Sequence, residues 1–357
     1  MTLARELADT AGRPQVDKNL LINGGMNIWQ RSTSASVTNV GYYTADRWRS
    51  GGTGLGVFTQ SRSTDVPSAQ GFGYSLKMDC TTADASPAAS DNRNIQHRIE
   101  GQNLQHLLKG TSSSKAVTLS FWVKSNKTGT YIIEIADVDN TRHICKSYTI
   151  DTASTWEKKE LVFDGDTLGT LDNDNASSLE ILWYLGVGSN RSSGTLATSW
   201  ATRTDANKAV GQVNLADSTS NEWYMTGCQL EVGEAATDFQ FEPYASTLEK
   251  CQRYYFEQRE GAIFGIANTT NVNFRVPLSV TMRAAPSASL GGSGNFRIGD
   301  MISQGFSTSS PSIVVNYNGP TIAGVRVSGF SGLTAYRTYL LEPSGSSLRY
   351  IKLDAEL

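Results

Sequence analysis

Side chains able to carry acid–base, nucleophilic or metal chemistry are sparse in this chain and poorly spaced. Only three histidines occur among 357 residues. His97 and His106 flank Glu100 but do not form the i, i+4 pair with which a helix offers two imidazoles to one metal ion. His143 falls in an alternating, strand-like stretch. The sequence has no Gly-x-Ser-x-Gly elbow and no glycine-rich phosphate loop at a strand-to-helix junction. Gly291-Gly-Ser-Gly294 sits in a serine-rich stretch and reads as a hairpin or linker.

Two carboxylates facing each other across a glycosidic bond would hydrolyse it. Glu134, Asp137 and Asp139 are near neighbours in sequence, but solvated strand ends and turns explain them as readily. Asp164-Gly-Asp166 and Asp172-Asn-Asp-Asn175 are oxygen-rich. Asp164, Asp166, Asp172 and Asp174 are therefore the candidates for Ca2+, the one ion these loops would suit. Neither loop carries the glycine and distal glutamate of an EF-hand, and Asn and Asp favour turns without an ion. The expectation is a protein without catalytic residues and without a required cofactor.

The aromatic residues are more informative. Trp122 and Trp183 lie inside apolar strand-like runs, which predicts core positions. Tyr42, Tyr43, Trp48 and Trp200 stand at segment edges beside Gly, Ser, Thr or Arg. Nearer the C-terminus, Tyr317, Phe330 and Tyr336 lie near predicted turns. A ring face stacks on the apolar side of a pyranose while amides, acids and guanidinium groups bind its hydroxyls. These seven residues are therefore the candidate glycan contacts, with capping of the core as the competing role.

The elements that must position them are mostly strands. Tyr74–Cys80, Val117–Val123, Tyr131–Ile135, His143–Ile150, Lys158–Phe163, Leu179–Leu185 and Trp223–Val232 alternate with period two. Clusters of Asn, Asp, Gly or Ser separate most of them. Gln96–Lys109 instead shows a short helical period through Leu104, Leu107 and Leu108. Thr2–Ala11 predicts a helix, with Leu3 and Leu7 on one face and Gly12 and Pro14 ending it. A helix this short is marginal alone, so Leu3 and Leu7 are the expected attachment face. After a hinge at Phe241–Glu257, a second block predicts strands at Phe274–Val280, Ser312–Tyr317, Val325–Val327, Tyr336–Leu341 and Leu348–Leu353.

The expected fold class is thus all-β: a jelly-roll β-sandwich over 19–245, a small C-terminal β domain over 246–357, and a short N-terminal helix and linker over 1–18. Composition agrees. Charged residues make up 18% and glycines number 33, against about 25% charged in an average globular domain. A net charge of −3 gives no basic footprint for nucleic acid. The four cysteines have no Cys-x-x-Cys spacing and read as buried small hydrophobes, which implies folding in a reducing compartment. No apolar core for a signal peptide and no apolar run near the roughly 20 residues that span a bilayer is visible. A soluble chain, assembled in the cytoplasm, is expected.

Several segments together resemble structural and tail-fibre-like proteins of bacteriophages, particularly those of marine and cyanobacterial phages. They are Asn19-Leu-Leu-Ile-Asn-Gly-Gly-Met26 with Trp29-Gln-Arg31, Thr44-Ala-Asp-Arg-Trp48, Leu76–Ser86, Arg98–Leu104 and Leu119–Tyr131. Val213–Thr219, Gln229-Leu-Glu-Val-Gly233 and Cys251-Gln-Arg-Tyr-Tyr255 complete the set. The resemblance covers roughly 19–256. It implies a virion protein with a carbohydrate-binding-module-like jelly roll. Such a protein would be homotrimeric, attached to other virion proteins through its N-terminal segment, and adherent to a host surface glycan such as lipopolysaccharide. Only some eighteen residues precede the jelly roll where a long fibre would carry a shaft. That favours a compact receptor-binding component. A capsid or tail decoration protein is the structural alternative, and a glycan depolymerase the enzymatic one.

Overall fold

The computed structural model describes residues 18–259, 263–300, 305–319, 321–341 and 349–357. The helix expected over Thr2–Ala11, with Leu3 and Leu7, lies outside them. The chain divides into two compact units, one ending at Glu242 and one running from Pro243 to Leu357.

The first unit is a jelly-roll β-sandwich. Its strands are β1 (Ser34–Val37), β2 (Gly41–Tyr42), β3 (Arg49–Gly51), β4 (Val57–Ser63), β5 (Ser75–Thr82), β6 (Asn92–Glu100) and β7 (Val117–Ser125). They continue with β8 (Gly129–Asp137), β9 (Arg142–Ile150), β10 (Glu157–Phe163), β11 (Ser177–Val187), β12 (Ala201–Thr202) and β13 (Glu222–Val232). Sheet A has the order β1-β4-β5-β13-β7-β10 and sheet B the order β12-β9-β8-β11-β6-β3-β2. Pairing between these strands is antiparallel throughout.

Strand periodicity explains why the two sheets stack. Leu119, Phe121 and Val123 alternate on β7, as do Ile133 and Ile135 on β8 and Ile181 and Trp183 on β11, and all are buried in one continuous core. Burying a side chain of this size contributes about 1.5–3 kcal/mol. Aromatic rings knit the centre: Trp183 meets Trp48 at 5.4 Å and Phe121 at 6.1 Å, both edge to face. Trp122, expected in the core, alternates with Phe121 onto the opposite face and is half-buried.

Gln96–Lys109 is not the helical connection expected. Asn92–Glu100 is a central strand of sheet B, followed by two short 3-10 turns at Gly101–Asn103 and Gln105–Leu107. The leucines that gave the helical period sit on those turns, where Leu104 and Leu107 close the end of the core. Among the described residues no helix is long and apolar enough to cross a membrane.

The second unit opens with α1 (Tyr244–Gln252), which Pro243 precedes. Its strands are β14 (Tyr255–Gln258), β15 (Phe264–Ala267), β16 (Asn271–Pro277), β17 (Ser287–Gly291) and β18 (Phe296–Gly299). They continue with β19 (Gly305–Thr308), β20 (Ser312–Asn318), β21 (Ile322–Ser328), β22 (Thr338–Leu341) and β23 (Tyr350–Asp354). Sheet C runs β14-β23-β17 and sheet D runs β19-β18-β22-β15-β16-β21-β20. Phe274, Phe296, Val325, Tyr339 and Leu353 are among the residues of a core separate from that of the first unit.

Candidate functional site

One end of sheet B carries a polar strip. Side chains alternate along a strand, so the residues of β6 that do not enter the core, Asn92, Asn94, Gln96 and Arg98, share the outward face. Register aligns Tyr42 with Arg49, Arg49 with Gln96, and Gly51 with Asn94. On the other side of β6, Glu180 stands opposite Arg98 and Leu182 opposite Gln96. Arg49 donates from Nη1 to Gln96 Oε1 at 2.5 Å, and Arg98 Nη2 meets Glu180 Oε1 at 2.7 Å. Asn94 donates to Asn92 Oδ1 at 3.1 Å.

The strip is thus a floor of buried amides beneath half-buried Tyr42, Arg49 and Arg98. Asn94 Oδ1 and Arg98 Nε are buried there without a hydrogen-bond partner, although buried polar atoms are normally paired. Gly51 leaves room for them: a Cβ there would lie 2.2 Å from both Asn94 Oδ1 and Gln96 Nε2 and would displace those side chains. Burial, and after it the like charge of Arg98, lowers the Arg49 guanidinium below its ordinary value, with Tyr42 and Glu180 opposing. Arg31 lies 5.3 Å from the centre of the Tyr42 ring and is itself held by Asp46 at 3.0 Å. Rigid amides, guanidinium forks and a tyrosine suit recognition of a polyhydroxylated ligand.

The rest of this face is closed. The segment 188–213 crosses β8, β9 and β11, and Leu196, Ala197 and Ala209 pack with Ile132, Ala136, Cys145, Leu182 and Tyr184. Backbone bonds tie it down, from Cys145 N to Ala197 O at 2.7 Å and from Val213 N to Thr130 O at 2.9 Å. Beneath it Glu134 is fully buried. Its carboxylate meets His143 Nδ1 at 3.0 Å, Tyr184 Oη at 2.7 Å and Arg203 Nε at 2.8 Å. Burial alone would raise the Glu134 carboxyl, but the hydrogen bond from His143 and the charge and hydrogen bonds of Arg203 hold it down at about 2.

The residues singled out from the sequence are dispersed. Tyr42 is on the strip. Tyr43 is beside it in the chain and donates to Asn39 O at 3.1 Å. Trp48 is a correction: it is wholly buried, edge to face with His97 at 5.1 Å and donating to Asn23 O at 3.0 Å, so no ligand can reach it. Trp200 packs against the core and donates to Asp164 O at 2.7 Å, with Lys109 Nζ 5.0 Å from its ring. In the second unit Phe330 is likewise a correction, buried 6.3 Å from Phe296. Tyr317 is exposed on β20, and Tyr336 is 92% exposed at φ +64°.

The aspartates do not form a cation site. Asp166 is buried and its oxygens serve Arg142 Nε at 2.6 Å and Lys109 Nζ at 3.0 Å, where positive side chains take the place of an ion. Asp164, Asp172 and Asp174 are exposed, and Asp174 accepts from Ala176 N at 2.9 Å as a turn residue does. Among the described residues no group of three or more His, Cys, Asp or Glu could hold a metal ion. The carboxylates of Glu134 and Asp137, three positions apart on one strand, point to opposite faces of sheet B, and Asp137 pairs with Lys109. The four cysteines are free and buried.

Arg49, Asn94, Gln96, Arg98 and Glu180 were not singled out from the sequence. The signal was present in Asn92-Arg-Asn-Ile-Gln-His-Arg-Ile-Glu100, where a polar residue with an amide or guanidinium recurs at every second position.

Two facing antiparallel sheets place the first unit in the jelly-roll β-sandwich class. No protein-family model and no curated protein matches the chain. Among solved structures it is similar to the enzymatically active domain of tailspike protein 4 of bacteriophage CBA120, at 15% identity and a TM-score of 0.32, covering 60% of this chain. The match spans only 22% of that tailspike domain. It is also similar to the carbohydrate-binding module TmCBM61 in complex with β-1,4-galactotriose, at 11% identity and a TM-score of 0.32, covering 61% of this chain and 100% of that one. A third is the family 11 carbohydrate-binding module of Clostridium thermocellum with a mixed-linked tetrasaccharide, at 14% identity and a TM-score of 0.29, covering 57% of this chain and 96% of that one. These distant likenesses assign no function to this chain.

Proposed function

We propose that this protein is a receptor-binding component of a bacteriophage particle, adhering without catalysis to host surface glycans through the polar strip of sheet B. The observation that carries the reading is the strip itself. Half-buried Tyr42, Arg49 and Arg98, with Arg49 held by Gln96 and Arg98 by Glu180, offer a ring and fixed guanidinium donors to a sugar. The phage setting is supported by the ensemble of sequence segments that resemble tail-fibre-like proteins. In that setting the chain would act as a homotrimer held by other virion proteins, where several weak sites raise binding by orders of magnitude.

The test is binding of the purified protein to intact host cells, with host lipopolysaccharide as competitor. Saturable binding that the glycan abolishes, and that Arg49→Ala or Gln96→Ala weakens without unfolding the protein, is the expected result. A folded protein that binds no cell would overturn the reading and leave particle decoration as the role to pursue.

A further inference from the structure

The second unit has an outward surface of its own. On sheet D the side chains that do not enter the core fall into two rows. One runs through Phe264, Arg275, Gly324 and Tyr317, the other through Ile266, Asn273, Arg326 and Val314, as the registers of β15, β16, β21 and β20 dictate. Among the described residues from Pro243 onward seven large hydrophobic residues are prominently exposed, and five of them, Phe264, Ile266, Val314, Tyr317 and Ile322, share this face. Such a cluster marks an interaction surface more often than chance exposure does.

The face is not simply apolar. Arg275 Cζ lies 5.3 Å from the centre of the Tyr317 ring. Two local devices make that possible. A register shift between Val315 and Tyr317 re-aims the tyrosine, as a β-bulge does. Gly324 then keeps the path clear, since a Cβ there would lie 2.5 Å from Arg275 Nη1 and 2.7 Å from Tyr317 Cβ. Beside this pair Asn316 Nδ2 donates to Asn273 Oδ1 at 2.8 Å, which leaves the outer atoms of both amides for a ligand. Beside Asn273 and Arg275 opens a groove of about 370 Å³, lined also by Phe264, Ile266 and Thr338. Among the described residues no carboxylate lies in either row, and neither Arg275 nor Arg326 has an acidic partner.

We infer that this groove binds an acidic oligosaccharide whose charge is a ring carboxylate. Phe264 and Ile266 offer a platform for the apolar side of a sugar ring, the Asn273–Asn316 amides meet hydroxyls, and the Arg275 fork matches a carboxylate in two parallel hydrogen bonds. Two guanidinium groups without an acidic partner among the described residues suit one or two carboxylates, which the planar fork matches. The groove belongs to the second unit and the strip to the first, so either can fail without the other.

The experiment is calorimetric titration of the full chain with galacturonate, alginate, hyaluronan and sialylated oligosaccharides, each beside a neutral galactan oligosaccharide. At least one acidic ligand should bind while the galactan does not compete for it, and binding should weaken as salt rises. Arg275→Gln, with circular dichroism unchanged, should weaken it about tenfold or more. Arg275→Lys should recover only part of that loss, because the point charge lacks the fork, and Arg49→Ala should leave it intact. Failure of every acidic ligand, equal binding of the galactan, or indifference to Arg275→Gln would overturn the inference. So would single-stranded DNA binding as tightly, or a self-association that Arg275→Gln abolishes.

Discussion

Asn19 and Leu230 close the sandwich: the Asn19 carboxamide oxygen accepts the Leu230 amide at 3.0 Å across 211 positions of sequence. The same side chain donates to Cys228 O at 2.9 Å and accepts from Leu21 N at 3.0 Å, while Leu20 N donates to Leu230 O at 2.9 Å. The segment Asn19–Leu21 is thereby fastened along β13 of sheet A. Asn19→Ala leaves three backbone groups without that partner and is expected to destabilise the first unit by about 1–3 kcal/mol. A lowered urea midpoint with an unchanged slope checks it, and an unchanged midpoint would show that water replaces the side chain.

Trp48 and Arg49 are adjacent in sequence but face opposite sides of sheet B, one in the core and one on the strip. Trp48→Ala is expected to cost about 3–5 kcal/mol through the cavity it leaves. Arg49→Ala is expected to cost less than about 1 kcal/mol of stability while weakening glycan binding about tenfold. Thermal unfolding and cell binding measured on both variants separate the effects. A Trp48→Ala protein of normal stability would contradict the core assignment.

Asp166 already has Arg142 and Lys109 against its oxygens, and burial, which would raise its carboxyl, is outweighed by the hydrogen bonds from Arg142, Leu168 N and Lys109. Calcium would have to displace those cations. Addition of Ca2+ or of a chelator is therefore expected to leave the unfolding temperature unchanged, whereas Arg142→Gln should lower it. A rise in melting temperature with Ca2+ that chelation reverses would place an ion in these loops.

Most of the β architecture was legible because its signal is local. Val117–Ser125 alternates apolar and polar residues except at Trp122, and Gly129–Asp137 and Ser177–Val187 are rich in β-branched and aromatic residues, so these strands follow from local pattern and composition. The strip was legible only in part, for a related reason. On β6 the inward positions are Arg93, Ile95, His97 and Ile99, so two of these four are polar and the apolar–polar alternation is obscured. Which aromatic faces the core also depends on register. Trp48 and Tyr42 both stand beside small or polar residues, yet only Tyr42 lies at the sheet edge. Short strands such as Gly41–Tyr42 and Arg49–Gly51 are defined by pairing, β3 with β6 and β2 with β3, and nothing in their own residues announces them.

Glu134 sets a pH limit on the strap that crosses sheet B. Its carboxyl is held at about 2, against an ordinary value of 4.5. A carboxyl depressed by folding adds stability that is fully present above its unfolded value and is lost as pH falls through the folded one. The contribution, about 3 kcal/mol at neutral pH, should therefore fade between about pH 4.5 and pH 2, as protonation removes the charge that Arg203 and His143 meet. Glu134→Gln should destabilise the first unit at neutral pH by roughly 3–5 kcal/mol, because Arg203 is left half-buried without its counter-charge. The same variant should show a flatter decline of stability on acidification. Chemical denaturation of both proteins from pH 7 downward decides it: parallel curves would mean that other carboxylates control acid unfolding. Protection of the 188–213 backbone from hydrogen exchange should fall first in the variant, since Arg203 belongs to that segment and Glu134 to the sheet beneath it.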